Sequence, residues 1–198
     1  IDGRGGPPIT GMDIILQDGR IKSITNTAGR ASLESLAEGS ALDCTGMFIL
    51  PGLIDAHVHL AFVPYDYDRA IVQRVVDDSE QTLTIREARH AQECLLAGIT
   101  TVRDCGGRGL TTLAVRDAIA DGLLPGPRIL ACGMPVTITF GHLFFCGLEV
   151  EGVDNVRVAT RRLAKEGADF IKVMATGGIM TANARPAIPQ FSQQELDA

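Results

Sequence analysis

The stretch Phe48-Ile-Leu-Pro-Gly-Leu-Ile-Asp-Ala-His-Val-His-Leu60 is almost continuously apolar and ends in two histidines separated by one valine. Because side chains alternate between the two faces of a strand, His57 and His59 project to the same side. An imidazole is costly to bury without a partner, so this pair needs an explanation. A divalent metal supplies one, since neutral imidazole is a preferred ligand of zinc and similar ions. Two core histidines held by hydrogen bonds are the alternative.

Length and composition indicate a globular protein with one substantial core. The chain has 198 residues, of which 45% are hydrophobic and 21% charged, as in ordinary globular domains. Its formal net charge of -6 provides no basic surface for phosphate backbones, so nucleic acid is not expected as a partner. No apolar run approaches the roughly 20 residues that span a bilayer, so a membrane is not expected either.

The cysteines favour free thiols over disulfides. The chain has five, and none of them forms a Cys-x-x-Cys pair: Cys44, Cys94, Cys105, Cys132 and Cys146. An odd number at irregular spacing argues against a disulfide framework and against a cysteine zinc site. We therefore expect a reducing compartment and a cytoplasmic location.

The first 48 residues read as short β elements joined by turns. Met12–Leu16 and Ile21–Ile24 have the character of strands, and Asp18-Gly19 between them is a hairpin signal. A helix or loop is expected around Leu33–Gly39.

From residue 84 onward, strands and helices alternate. The predicted helices are Thr84–Leu96, Leu110–Asp121 and Val153–Glu166, and the predicted strands are Ile99–Asp104, Arg128–Cys132 and Ala168–Met174. Apolar strands separated by helices are typical of a parallel sheet covered by helices, which indicates an α/β fold. A loop with a short helix is expected over Tyr65–Asp78.

The boundaries of these helices follow from their sequence. In the first helix, Thr84 with Glu87 fits a capping box, and an apolar stripe is expected to face the core: Ile85, Ala88, Ala91 or Gln92, Leu95 and Leu96. Gly98, Gly122 and Gly167 are placed to end the three helices. Near the C-terminus, Ser192 with Glu195 reads as another capped helix start.

Lys172 lies inside an apolar segment that alternation places as a strand. Lysine is rarely buried unless it is paired, so a nearby carboxylate is one explanation. The other is chemical. A buried amine has a lowered pKa, so part of it is neutral and can add carbon dioxide. The resulting carbamate has two oxygens and can bridge two cations.

Several stretches resemble the amidohydrolase superfamily, which comprises metal-dependent hydrolases built on a (β/α)8 barrel. Pro51–His59 is similar to its first-strand signature and Ala97–Asp104 to its second-strand signature. Ile171-Lys172-Val173 with Thr176-Gly177-Gly178 resembles the fourth strand of the prolidase-like, imidazolonepropionase-related branch. The pattern Gly11-x-Asp-Ile-x-x-x-Asp-Gly-x-Ile21 resembles the small β-sandwich that precedes many of these barrels.

This resemblance implies the fold and its boundaries. Residues 1–48 are expected to form a partial β-sandwich, and residues 49–198 the first four βα units of a TIM barrel. A complete barrel takes about 250 residues, so only its first half is expected here. In the family, two further histidines come from strands five and six, and an aspartate that serves as proton shuttle comes from strand eight. We expect residues 1–198 alone to be inactive and poorly folded, because half a barrel leaves open strand edges.

The resemblance also implies the site. His57, His59 and a carboxylated, bridging Lys172 are expected to bind two divalent metal ions, with zinc favoured. His142, in a Gly-His loop, is expected either to face the substrate or to be a structural loop residue. Asp104 ends a strand, and we weigh a functional role against a carboxylate that ties down the glycine loop. His90 reads as a solvated surface residue.

The expected function is hydrolysis of an amide or peptide-like bond, with a dipeptide as substrate in the manner of a Xaa-Pro dipeptidase or a carboxypeptidase. A cyclic-amide hydrolase of the imidazolonepropionase or dihydroorotase type is the enzymatic alternative. A non-catalytic barrel relative that acts as a scaffold is the other. The full-length protein is expected to be a homo-oligomer.

Overall fold

The computed structural model describes residues 1–26, 40–62, 69–181 and 184–198. The chain forms two compact units, Ile1–Pro51 and Gly52–Ala198. The predicted helix or loop at Leu33–Gly39 lies outside the described residues, as do residues 65–68 of the predicted loop that precedes the first helix.

An antiparallel hairpin forms the described regular structure of the first unit. Strand β1 spans Met12–Gln17 and strand β2 spans Arg20–Asn26. Asp18 and Gly19 both have positive φ, 53° and 70°, as a two-residue Asp-Gly turn requires. The predicted hairpin turn is confirmed, and the partial β-sandwich stays a prediction.

A parallel sheet organises the second unit. Strands β3 (Leu53–Val58), β4 (Ile99–Asp104) and β5 (Arg128–Ala131) lie side by side in that order. The helices are α1 (Arg69–Asp77), α2 (Glu80–Leu96), α3 (Thr111–Ala120), α4 (Val153–Lys165) and α5 (Gln193–Leu196). One face of the sheet packs on α2 and α3 through a buried apolar cluster: Leu60, Ala91, Val102, Leu113, Val115, Ile129 and Ala131. The predicted alternation of strands and helices is thus observed. That these elements are the first half of a (β/α)8 barrel stays a prediction.

The predicted strand over residues 168–174 is wrong as a regular strand. Near its start the segment bonds to β5, where Asp169 N–H donates to the Ala131 carbonyl at 2.8 Å. Further along, Lys172 and Met174 exchange bonds with Val136 of strand β6 (Val136–Thr137), which pairs with β7 (Leu148–Glu149). The segment therefore changes partner halfway, and no continuous ladder forms.

Helix α2 begins earlier than the sequence predicts. Ser79 is its N-cap, and the Ser79 side chain accepts a hydrogen bond from Thr82 N–H. The capping box of Thr84 with Glu87 is wrong, because the Thr84 hydroxyl donates to the Glu80 carbonyl within the helix. Glu87 therefore lies inside the helix and does not cap its start.

The buried face of α2 also differs from the predicted stripe. Ile85 is 71% exposed and Leu96 is 87% exposed, whereas Leu83, Glu87 and Ala91 are buried. These three residues recur every fourth position, so the face is helical in spacing. The predicted stripe shares Ala91 with this face, and it omits Glu87 because a carboxylate is not expected in a core.

The predicted helix ends are confirmed. Gly98, Gly122 and Gly167 follow α2, α3 and α4 and have φ values of 86°, 73° and 93°. The capping box of Ser192 with Glu195 is present at the start of α5. None of the helices in the described part of the chain is long and apolar enough to cross a membrane.

Candidate metal centre

The predicted site residues line one cavity of the second unit. Its volume is about 310 Å³, and His57, His59, His142 and Lys172 all contribute to its wall. The ring centroids of His57 and His59 lie 5.4 Å apart. His57 lies in β3 and His59 is the first residue after its end, and the two-residue spacing still brings both rings to the cavity. The structure therefore brings the four residues together, and their roles as ligands stay a prediction.

The ring of His59 is oriented by the glycine loop after β4. His59 Nδ1 lies 2.7 Å from the carbonyl oxygen of Gly106. A carbonyl can only accept, so Nδ1 carries the proton and Nε2 keeps its lone pair. Burial lowers the pKa of His59, the nearby Lys172 lowers it further, and the bond to Gly106 opposes both. The result is a neutral imidazole with a defined free nitrogen, as a metal ligand needs.

His57 lies at the more open end of the pair. Its backbone N–H donates to the Asp55 carboxylate at 3.1 Å, which holds the end of β3 that carries the ring. Burial lowers the pKa of His57, and the charges of Lys172 and His59 add to the effect. His57 is therefore also neutral at pH 7 and can donate a lone pair.

Lys172 is half-buried in the same cavity. A backbone hydrogen bond holds this residue in place, because the Lys172 carbonyl accepts from Val136 N–H at 2.7 Å. No hydrogen bond or ion pair of its amine is found among residues 1–26, 40–62, 69–181 and 184–198. The carboxylate partner that the sequence offered as one explanation is therefore not seen in that part of the chain.

A network of hydrogen bonds holds the loop that carries His142. Thr181 Oγ1 lies 3.2 Å from His142 Nδ1 and accepts from Leu143 N–H at 3.1 Å. The Thr137 hydroxyl donates to the His142 carbonyl at 2.9 Å. The amide oxygen of Gln190, assigned from its surroundings, accepts from His142 N–H at 2.8 Å. Burial lowers the pKa of His142, and the charges of His59 and Lys172 add to this.

Part of the cavity wall is apolar. Leu143, Met174 and Met180 line it and belong to a hydrophobic cluster with Phe62 and Phe145. The Phe62 ring meets the ring of His59 edge-on, with centroids 5.5 Å apart. The cavity thus offers a polar set of imidazoles and an amine beside a surface suited to an apolar group.

Two residues outside the cavity hold the chain just after His59. Asp104 is fully buried and accepts from Leu60 N–H at 2.8 Å and from Gly106 N–H at 3.0 Å, which is the structural role that the sequence allowed for it. Burial raises the pKa of Asp104 to about 6. The prediction for His90 is wrong: it is half-buried, and its Nδ1 lies 2.7 Å from the Leu60 carbonyl oxygen.

Glu87 is a buried carboxyl that the sequence did not reveal. Its side chain is fully buried, and the Thr111 hydroxyl donates to its Oε1 at 2.8 Å. Burial is the main reason that the pKa of Glu87 rises to about 8, and the charge of Asp104 adds to it. A glutamate in a helix is ordinarily a surface residue, so no local signal marks this one.

The donor set fits a metal in part. Two neutral imidazoles share one face, and one of them has its free nitrogen fixed by a backbone carbonyl. In the part of the chain that the structure describes, no group of three or more His, Cys, Asp or Glu side chains could hold an ion. The remaining ligands must come from a modified Lys172 or from residues beyond this set.

Comparison with known proteins gives a consistent result. The sequence matches the amidohydrolase family over residues 48–198. It is 30% identical over 176 residues to an ochratoxinase from Aspergillus niger, covering 75% of this chain and 35% of the relative. It is 30% identical over 194 residues to an imidazolonepropionase from Methylobacterium nodulans, covering 83% and 46%. A solved Xaa-Pro dipeptidase with methionine bound in its active site superposes with a TM-score of 0.77 at 30% identity, covering 94% and 47%.

The chain spans less than half the length of each of these relatives. More than half of each relative's sequence therefore has no counterpart in residues 1–198.

Proposed function

Because the chain belongs to the amidohydrolase family, we propose that it forms the first part of a binuclear metal-dependent hydrolase that cleaves an amide or peptide-like bond. The proposed substrate is a dipeptide, as for a Xaa-Pro dipeptidase or a carboxypeptidase. One observation carries the proposal: His57, His59 and Lys172 line a single cavity, and His59 Nε2 is left free by the bond to Gly106.

The two histidines would hold one ion, and Lys172 would bridge it to a second. For this role the unprotonated form of the Lys172 amine would add to carbon dioxide: a bond would form between Nζ and carbon, and one proton would be released. The product is an anionic carbamate with two oxygens. Divalent metal ions held by these residues, with zinc favoured, would supply an activated water near neutral pH and polarise the scissile carbonyl.

His142 is the proposed substrate-binding residue. Its imidazole lines the same cavity and is neutral at pH 7, so it can either donate to or accept from the substrate. Thr181 and Gln190 fix the loop on both sides of the ring. A fixed loop orients the substrate without an ordering cost at the moment of binding.

The apolar wall supports a substrate with an apolar side chain. Leu143, Met174 and Met180 would contact such a side chain, and among the described residues that line this cavity there is no Asp or Glu. An apolar side chain buried here would gain about 25 cal/mol per Å² of area removed from water. The Xaa-Pro dipeptidase structure holds methionine in its own active site, which is compatible with this preference.

A cyclic-amide hydrolase is the second candidate. The match to an imidazolonepropionase extends over 194 residues and favours it. The two candidates differ in the substrate that the cavity would accept. A non-catalytic scaffold would differ from both, because it would bind no metal.

Metal analysis of the protein with its natural boundaries, combined with a substrate panel, tests the proposal. We expect two zinc ions per chain and turnover of dipeptides with apolar residues. Lys172→Ala should lose at least one ion and almost all activity, whereas Lys165→Ala, an exposed lysine in α4, should change neither. Turnover of cyclic amides only would favour the second candidate, and wild-type protein that contains no metal would refute both.

A further inference from the structure

The backbone of Leu60, the residue after His59, is held on both sides by side chains. Its N–H donates to Asp104 Oδ2 at 2.8 Å, and its carbonyl oxygen lies 2.7 Å from His90 Nδ1. Asp104 ends β4, and His90 lies in α2. Two separate elements therefore fix one peptide next to the predicted ligand.

These contacts replace a ladder that has already ended. β3 ends at Val58, which pairs with Asp104, so Leu60 has no strand partner for its own backbone groups. Leu60 is buried, and a buried backbone group without a hydrogen-bond partner is destabilising. The His90 side chain takes the place of a strand partner for the Leu60 carbonyl and fixes the direction of that carbonyl.

Asp104 also reaches the ring of His59 through the glycine loop. Its Oδ1 accepts from Gly106 N–H at 3.0 Å, and the Gly106 carbonyl accepts from His59 Nδ1 at 2.7 Å. One carboxylate thus fixes the backbone after His59 and the loop that orients its ring. A carboxylate can serve both N–H groups because each of its oxygens only accepts.

We propose that His90 and Asp104 are positioning residues for His59, which set the direction of its free Nε2 towards a metal ion. This inference rests on the proposed function, since it assigns roles to residues that support the proposed ligand. Partners behind a ligand are worth about 10–100-fold in metal affinity when they are removed. Loss of either contact should therefore weaken metal binding without removing a ligand.

The chemistry of His90 allows a matched pair of variants. A carbonyl accepts its bond, so His90 Nδ1 must carry the proton. The amide nitrogen of asparagine occupies the place of Nδ1, whereas that of glutamine lies one bond further out. His90→Asn should therefore keep the bond to Leu60, and His90→Gln and His90→Ala should lose it.

The test is a zinc titration of the metal-free protein with its natural boundaries, in competition with a chromophoric chelator. We expect His90→Ala, His90→Gln and Asp104→Asn to bind zinc about 10–100-fold more weakly, and His90→Asn to stay close to wild type. Arg89→Ala is the control and should not change the affinity, because Arg89 lies next to His90 on α2 and pairs with the exposed Glu93 at the surface.

Each result has a defined meaning. Unchanged affinity in His90→Gln and Asp104→Asn would overturn the inference, as would equal losses in His90→Asn and His90→Gln. If His90→Ala does not fold, the asparagine and glutamine variants carry the comparison. Wild-type protein that binds no zinc would refute the proposed function, whereas tight wild-type binding with unaffected variants would refute this inference alone.

Discussion

Replacing Gly178 with alanine should disturb the site through His142. A Cβ built at Gly178 would lie 2.3 Å from Nε2, 2.4 Å from Cε1 and 2.6 Å from Cδ2 of the His142 ring. Non-bonded heavy atoms are at their optimum about 3.5 Å or more apart, so the ring would have to retreat by roughly 1 Å. The backbone of Gly178 cannot easily yield, because its N–H donates to the Ala184 carbonyl at 2.9 Å.

The size of the effect follows from this displacement. A misplacement of about 1 Å in a positioning group can cost about 100-fold in rate. We therefore expect Gly178→Ala to lower kcat/KM by about 10–100-fold and to leave the metal content unchanged, since His142 is not a proposed ligand. Gly6→Ala is the control, because a Cβ there meets no atom within 4 Å and its φ is not positive.

A double-mutant cycle separates the cause. kcat/KM would be measured on an active dipeptide for wild type, Gly178→Ala, His142→Ala and the double variant. If alanine at 178 acts only by moving the ring, the double variant should be no worse than His142→Ala. If the two losses in kcat/KM multiply in the double variant, or if Gly178→Ala keeps wild-type kcat/KM, alanine at 178 does not act by displacing the His142 ring.

Three other predictions concern the buried carboxyl of Glu87, the hydrogen-bonded Arg108 and two buried cysteines. Because burial raises the pKa of Glu87 from 4.5 to about 8, its contribution to the free energy of unfolding should be complete below pH 4.5 and fall as the pH rises to 8. The slope is at most about 1.4 kcal/mol per pH unit, and Glu87→Gln should remove it in denaturant titrations across this range. Arg108→Ala should lower the free energy of unfolding by about 1.5–3 kcal/mol, because its guanidinium donates to the Val75 carbonyl at 2.8 Å and to others at the end of α1. Burial raises the pKa of Cys132 and of Cys146 to about 12, so peptide mapping after brief alkylation of the native protein should find both unmodified; labelling of either at the rate of an unfolded control would contradict this.

The parts of the structure that local sequence determines could be predicted. The shared face of His57 and His59 follows from the period of a strand, and the ends of the helices follow from glycines with positive φ. The Asp18-Gly19 turn is likewise set by two adjacent residues.

The parts set by distant contacts could not be predicted. His90 binds a carbonyl 30 residues away, and Asp104 binds an N–H 44 residues away, so neither role leaves a mark in its own neighbourhood. The spacing of Glu87 from Thr84 predicts a role in a capping box, but the burial of Glu87 depends on packing against α3. The segment around Lys172 has the alternation of a strand, and only the change of partner from β5 to β6 interrupts it.

Zinc anomalous scattering from crystals of the protein with its natural boundaries would locate the metal ions. We expect two peaks in the cavity, one about 2.0–2.1 Å from His59 Nε2, with density for a carbamate on Lys172 between them. An unmodified Lys172 with no peak near either histidine would refute the proposed metal centre.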